Sequence, residues 1–173
     1  KKAEGKIDYI GFSFHDEFPV FKEIVDYYDK WDFCQIQYNY MDIDKQAGEK
    51  GLKYAADKGL GVIIMEPLRG GLLTKTPPQA VKDVWDSATV KHSQAEWGLL
   101  WLWNQPEVSL VLSGMSTMQQ VKENLQTADK SGIGKLSQEE LDTIAKARKA
   151  YFGTIPIPCT KCRYCMPCPQ GVE

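Results

Sequence analysis

The sequence predicts an α/β fold in which short strands and amphipathic helices alternate around a parallel sheet. Apolar runs rich in β-branched and aromatic residues recur four times along the chain. Each run is followed by a segment whose apolar residues have helical spacing. Regular alternation of this kind is typical of βαβ units, whose strands pair in parallel.

The first two units are predicted from clear local signals. "KIDYIGFSF" (6–14) reads as a strand, and residues 17–30 read as an amphipathic helix with Asp16 as its candidate cap. "WDFCQIQYNY" (31–40) predicts the second strand, and residues 45–59 predict the second helix, which ends at a glycine.

The third unit contains an extra helix. "LGVIIMEP" (60–67) is a nearly continuous apolar run, as in a buried parallel strand. The less regular stretch 68–92 includes a short predicted helix at 80–87. Residues 93–105 are apolar almost all round, which indicates a buried helix.

The fourth unit consists of a strand (107–114) and two helices (116–128 and 137–151). Each of the last three helices opens with Ser or Thr followed three residues later by Glu or Gln, the pattern of a capping box. The candidate pairs are Ser93 with Glu96, Thr117 with Gln120, and Ser137 with Glu140.

Periodicity leaves two architectures open. Four such units can form an open doubly wound sheet, or half of a (β/α)8 barrel, which typically needs about 250 residues.

The charge of the chain excludes some classes of function. The chain has 173 residues, with 21 basic and 23 acidic side chains and a net charge of −2. This balance argues against a nucleic-acid or membrane surface, and no apolar run approaches the roughly 18–20 residues of a membrane span. A cytoplasmic protein is expected, so its five cysteines are interpreted as ligands or catalysts before disulfides.

In both architectures ligands bind beyond the carboxyl ends of the strands, and polar residues follow every predicted strand. Gln35 lies within an apolar strand, where a buried amide must find partners. "SGMST" (113–117) leads into a helix start, whose amides favour phosphate groups. The other residues at strand ends include Ser13 and His15, then Gln37, Tyr38 and Asn39, then residues 66–71.

Four motifs in this order, "IGFSFH", "CQIQYNY", "GVIIMEPLRGG" and "VLSGMSTMQQVKEN", resemble the second half of the aldo/keto reductases from residue 6 to about residue 150. The resemblance implies strands five to eight of a (β/α)8 barrel and hydride transfer between NADP or NAD and a small carbonyl or alcohol. It also implies cofactor contacts. They are Ser13 and Gln35 at the nicotinamide amide, Pro67, Leu68, Arg69 and Gly71 at the pyrophosphate, and Gly114, Met115, Ser116, Gln120, Glu123 and Asn124 around the adenosine.

The sequence departs from the family pattern in three respects. Met65 stands where the family stacks an aromatic ring on the nicotinamide, and Gln120 stands where a basic residue often meets the 2′-phosphate, so NADP and NAD both remain open. The family's catalytic Asp, Tyr, Lys and His come from the first half of the barrel. We therefore predict no catalytic residue in this chain and interpret Tyr38, Tyr40 and His92 as packing or surface residues. A missing N-terminal half or a second copy is expected to complete the barrel.

Four cysteines are concentrated in "CTKCRYCMPCPQG" (159–171), each separated from the next by two residues. Such tight spacing before a proline is similar to iron–sulfur loops, whereas structural zinc usually joins two separated knuckles. A [4Fe–4S] cluster is the first prediction, and zinc, plain thiols or a disulfide are the alternatives. The predicted ligands are Cys159, Cys162, Cys165 and Cys168.

The barrel motifs and this tail together resemble an aldo/keto reductase subgroup with a ferredoxin-like C-terminal segment, which implies a redox enzyme with a possible redox partner protein. We expect two domains, a half-barrel at 1–152 and a Cys-rich tail at 153–173. The competing hypothesis is a non-catalytic half-barrel that binds cofactor or metal, with a tail that transfers electrons or holds a structural ion.

Overall fold

The computed structural model describes residues 1–154, which form a four-stranded parallel sheet with six α-helices and two short 3-10 turns. The strands are β1 (Gly11–Phe14), β2 (Phe33–Gln37), β3 (Gly61–Met65) and β4 (Val108–Val111). The helices are α1 (Phe18–Tyr27), α2 (Gly48–Asp57), α3 (Gln79–Ser87), α4 (Gln94–Trp103), α5 (Met118–Lys130) and α6 (Gln138–Thr154). Every predicted strand and helix is confirmed, including the extra helix of the third unit.

The first strand is shorter than predicted. Residues 6–10 do not pair with β2, because Asp32 binds the chain at Ile10 in place of a continued ladder. Its carboxylate accepts the Ile10 N–H at 2.7 Å, and its own N–H donates to the Ile10 carbonyl at 2.8 Å. Asp16 does not cap α1 either, since the cap position is Glu17 and, within the described residues, the Asp16 carboxylate accepts the N–H of Glu17 alone.

The predicted capping boxes are present. Ser93 and Glu96 form a reciprocal box at α4, and Thr117 and Gln120 form one at α5. At α6, Ser137 and Glu140 exchange the same two hydrogen bonds. These bonds satisfy orphan amides at three helix starts and fix where each helix begins.

The sheet has the strand order β1-β2-β3-β4, and all neighbours are parallel. Doubly wound sheets reverse their order at a switch point. The described strands contain no such reversal, since each crossover moves one strand further in the same direction.

The two faces of the sheet differ. One face is buried under α1, α2 and α4, which contribute Phe21, Leu52 and Leu102 to a core around Phe14, Ile36 and Ile64. On the opposite face Ser13, Gln35, Ile63 and Leu110 are in register across the four strands. Leu110 is 46% exposed there, so the described part of the chain leaves this face partly open.

A second core lies between α3, α4 and α6, where Trp85 stacks on Trp97 at 5.1 Å between ring centroids. Tyr38 and Tyr40 are both 1% exposed, and burial raises the pKa of both phenols. These two tyrosines are therefore packing residues, as predicted.

Within residues 1–154 no helix combines the length and apolarity that crossing a bilayer requires.

Candidate functional site

A cavity of about 710 Å³ lies at the carboxyl end of the sheet, between the segments that follow β3 and β4. We call residues 66–74 the β3 loop and residues 112–117 the β4 loop. Nine of the twelve predicted cofactor-binding residues line this cavity: Pro67, Leu68, Gly71, Gly114, Met115, Ser116, Gln120, Glu123 and Asn124. The structure therefore brings together the motifs 61–71 and 111–124, which are far apart in the sequence.

The β3 loop has an unusual backbone. Glu66 and Arg69 have φ values of 55° and 54°, and Gly70 and Gly71 follow at 61° and 81°. Side chains other than glycine rarely adopt this region, so the two non-glycine residues carry backbone strain. Within the described residues the N–H groups of Gly70 and Gly71 donate no hydrogen bond, which leaves them available to an anionic ligand.

One buried and one partly buried contact tie the β3 loop to the segment after β2. The Arg69 Nε donates to Asp42 Oδ2 at 2.8 Å, and these side chains are 2% and 1% exposed. The Asn39 side-chain amide donates to the carbonyl of Glu66 at 3.0 Å. Arg69 therefore lies beneath the loop with its guanidinium on Asp42, and its side chain is outside the cavity lining.

Helix α4 supports the β3 loop from the other side. A Cβ added at Gly98 would lie 2.6 Å from the Leu68 Cδ2 and 3.8 Å from the Pro67 carbonyl. Glycine at this position lets the Leu68 side chain pack directly against α4, and a Cβ here would require that side chain to move.

The β4 loop is held by its own helix. The Gln120 side-chain oxygen accepts the N–H groups of Ser116 at 2.8 Å and Thr117 at 3.2 Å. Asn124 reaches back from α5 and donates to the Ser113 hydroxyl at 3.0 Å. Gln120 therefore shapes the loop through its oxygen, in addition to lining the cavity.

The two predicted nicotinamide contacts lie together on the open face of the sheet. The Gln35 amide nitrogen lies 3.5 Å from the Ser13 hydroxyl and 3.5 Å from the Met65 sulfur. These are long, weak contacts that leave the amide able to take a better partner. The sequence predicted a buried Gln35 with satisfied partners, but the residue is half-buried, because it lies on the open face of the sheet. Met65 joins this cluster to the β3 loop.

Sequence reasoning missed several contributors to the site. Asp42 and Asn39 follow β2 without any local signal that they would anchor a loop some 27 residues away. Helix α4 contributes Ala95 to the lining through its capping-box start, which was predicted for its fold alone. Glu66, Gly70 and Ser113 also line the cavity, and the sequence had singled them out only as residues at strand ends. Thr74 and Leu112 line it without having been singled out.

The predicted metal ligands Cys159, Cys162, Cys165 and Cys168 lie outside the described residues. Within residues 1–154 no three His, Cys, Asp or Glu side chains come together as a metal site. The described cysteine, Cys34, is fully buried in β2, and burial raises the pKa of its thiol to about 12. A thiol in that state is a packing residue at neutral pH.

Comparison with known proteins places the fold in context. The model of the Aldo/keto reductase family matches residues 1–149. The chain is similar to the aldo-keto reductase AKR11C1 from Bacillus halodurans in its holo form, with a TM-score of 0.69 and 26% identity over 86% of this chain and 53% of that one. An aldo-keto reductase from Klebsiella pneumoniae in complex with NADPH has the same fold, with a TM-score of 0.62 and 20% identity over 87% of this chain and 50% of that one.

No curated protein sequence matches the chain. The chain spans about half the length of the two solved reductases it resembles.

Proposed function

The chain belongs to the aldo/keto reductase family, and on that premise we propose that it is the cofactor-binding half of an NAD(P)-dependent oxidoreductase. The parent enzyme would transfer hydride between the nicotinamide and a small carbonyl or alcohol. The observation that carries this proposal is the cavity between the β3 and β4 loops, with the Ser13–Gln35 cluster on the adjoining sheet face.

The cavity suits a dinucleotide in size and in its hydrogen-bonding groups. The amides of Gly70 and Gly71 and the start of α5 offer donors to a pyrophosphate, and helix starts favour such anions. The carboxylate of Glu123 is suited to a ribose hydroxyl or an adenine amino group. NADP is the first choice because a related reductase is known with NADPH, and NAD is the alternative because Gln120 and not a basic residue lines the site.

We infer that the described fold is half of a (β/α)8 barrel. The sequential parallel order of the strands and the partly open face around Leu110 both favour this arrangement. An N-terminal half, or a second copy of the chain, would cover that face. The N-terminal half would also supply the catalytic Asp, Tyr, Lys and His, whereas a second copy would not. The chain by itself is therefore expected to bind the cofactor without turnover.

We also propose that Cys159, Cys162, Cys165 and Cys168 hold a [4Fe–4S] cluster, with structural zinc as the alternative. The support is their spacing and the following proline in the sequence. The cytoplasmic location predicted from composition belongs to this proposal, since a reducing compartment keeps thiols available as ligands. Such a cluster would accept or donate single electrons and could serve a redox partner protein.

The enzyme proposal is tested by separating binding from turnover. Titration of the chain with NADPH and NADH, followed by quenching of tryptophan fluorescence, should give saturable binding. Oxidation of NADPH with a panel of aldehydes should occur only with the full-length parent. Binding by the chain and no turnover by the parent would favour the competing non-catalytic function. No binding by either would refute the enzyme proposal and the cofactor-binding form of the competing function.

The cluster proposal has an independent test. The anaerobically purified chain should contain iron and sulfide and show a broad visible absorption that dithionite bleaches. Replacing Cys162 with Ser should remove this absorption, whereas the matched Cys34→Ser variant should keep it. A colourless protein with one tightly bound zinc would establish the alternative.

A further inference from the structure

We propose that Asp42 and Arg69 are positioning residues, whose buried ion pair holds the β3 loop in the shape that binds the cofactor. The resemblance to the family assigned Arg69 to the cofactor's pyrophosphate. The structure instead directs its guanidinium to a carboxylate beneath the loop. This inference rests on the proposed function, since it concerns the same cavity.

The position of Arg69 relative to its neighbours argues for an indirect role. Leu68 and Gly70 line the cavity, and Arg69 between them does not. Its Nε donates to Asp42 Oδ2 at 2.8 Å, and its side chain is 2% exposed. A ligand in the cavity would have to displace the loop to reach the guanidinium, whereas Gly70 and Gly71 themselves line the cavity.

The loop needs such an anchor because its backbone is strained. Arg69 and Glu66 both have positive φ, which persists in a residue with a side chain only when surrounding contacts enforce it. The anchor acts at both strained positions. Asp42 binds the Arg69 side chain, and Asn39 binds the Glu66 carbonyl at 3.0 Å.

Asp42 is itself fixed by the segment that follows β2. Its Oδ2 also faces the amide nitrogens of Asn39 at 3.3 Å and Gln37 at 3.4 Å. The Asn39 Oδ1 accepts the backbone N–H groups of Met41 at 3.0 Å and Asp42 at 2.9 Å. Through the ion pair, the segment that follows β2 therefore fixes where the β3 loop lies.

The pair is poorly suited to a purely stabilising role. The Asp42 Oδ1 and the Arg69 Nη2 are buried without a hydrogen-bond partner in the described structure. A buried ion pair with unsatisfied atoms contributes little net stability compared with apolar residues of the same size. What an apolar pair would not reproduce is the directed bond that holds the β3 loop in its strained shape.

The test is a double-mutant cycle on NADPH affinity with Asp42→Asn, Arg69→Met and the double variant. If the pair positions the loop, each single variant should weaken NADPH binding by roughly 10-fold, and the double variant should lose no more than either single variant. The exposed pair Lys82 and Asp86, outside this cavity, is the matched control. Lys82→Met and Asp86→Asn should leave the affinity unchanged.

Other results would overturn the inference. A loss with Arg69→Met and none with Asp42→Asn would mean that the arginine contacts the cofactor directly. Lower thermal stability with unchanged NADPH affinity would mean a structural role alone. A wild-type chain that binds neither NADPH nor NADH would overturn the proposed function itself, which is a distinguishable outcome.

A measurement on the wild-type chain covers the case in which the variants do not fold. Hydrogen exchange of the cofactor-free chain should show the N–H groups of Arg69 and Leu72 protected, since they bond within the loop to Glu66 and Arg69. Positioning requires this order before the cofactor arrives. Protection that arises only after NADPH is added would contradict it.

Discussion

The two walls of the cavity are built in opposite ways. In the β3 loop Pro67, Arg69 and Leu73 are buried, and the anchoring contacts come from residues more than 20 positions away in the sequence. In the β4 loop residues 114–117 are all exposed, and the hydrogen bonds come from Gln120 and Asn124 just downstream. One wall thus depends on the tertiary structure, and the other depends on local sequence.

This difference determines how each wall should respond to change. A wall fixed by buried long-range contacts is rigid, and losing one contact should affect the whole fold. A wall held by surface hydrogen bonds can adapt to a ligand, and losing one bond should have a local effect. The following substitutions test this contrast in order of decreasing effect.

The largest effect is expected at the buried anchor of the β3 loop. Asp42→Ala leaves the Arg69 charge without a partner in the interior, which should lower the free energy of unfolding by about 3–5 kcal/mol. Urea denaturation measures the loss. The control Asp86→Ala breaks an exposed pair and should cost less than about 1 kcal/mol. Equal losses in the two variants would mean that the β3 loop is no more deeply anchored than the surface.

An intermediate effect is expected where α4 meets the same loop. Gly98→Ala places a methyl group 2.6 Å from the Leu68 Cδ2, so the Leu68 side chain must move within the cavity wall, at a cost toward the lower end of about 1–3 kcal/mol. NADPH affinity should fall as well, because Leu68 lines the cavity. The matched control is Gly153→Ala in α6, where nothing described lies within 4 Å and a helical alanine should be tolerated or stabilising. Unchanged stability and affinity in Gly98→Ala would show that the loop yields easily.

A smaller effect is expected at the exposed wall. Thr117→Ala removes the cap of α5 and should cost about 1 kcal/mol. The fold should remain intact, and hydrogen exchange should increase only in the first turn of α5. Ser137→Ala removes the equivalent cap of α6, which is away from the cavity. It should lower stability as much as Thr117→Ala does, and it should leave the NADPH affinity unchanged, whereas Thr117→Ala alters a wall of the cavity. A general rise in exchange across the sheet in Thr117→Ala would contradict the local character of this wall.

The same contrast explains what the sequence could predict. The capping boxes of α4 and α5 involve residues three positions apart, and both were predicted and are confirmed. Arg69 was assigned to the cofactor through a family resemblance, because nothing near it in the sequence identifies Asp42 as its partner. The first strand was predicted too long for a similar reason, since its pairing ends where a distant residue, Asp32, takes over the hydrogen bonds. Contacts between distant segments depend on packing, which local patterns do not encode.

The smallest effect is expected in the dependence of stability on pH. The capping box of α4 contains a glutamate that titrates, and the capping box of α5 contains a glutamine that does not. Burial alone would raise the pKa of Glu96, but the Ser93 N–H at 2.7 Å and Lys130 at 3.4 Å lower it overall below the usual 4.5. A lowered folded pKa means that the ionised carboxylate stabilises the fold above pH 4.5, and that this contribution is lost as the pH falls through the folded pKa. Gln120 has the same role in α5 and does not titrate.

The free energy of unfolding of the wild type should fall between neutral pH and a pH below the glutamate pKa. In Glu96→Gln this fall should be smaller by roughly half a kcal/mol. Urea denaturation at both pH values measures this difference, and Gln120→Glu should introduce the same dependence at α5. If Glu96→Gln left the acid dependence of stability unchanged, Glu96 would not be coupled to folding. The ionised Glu96 side chain would then contribute nothing to holding the start of α4 beside Ala95.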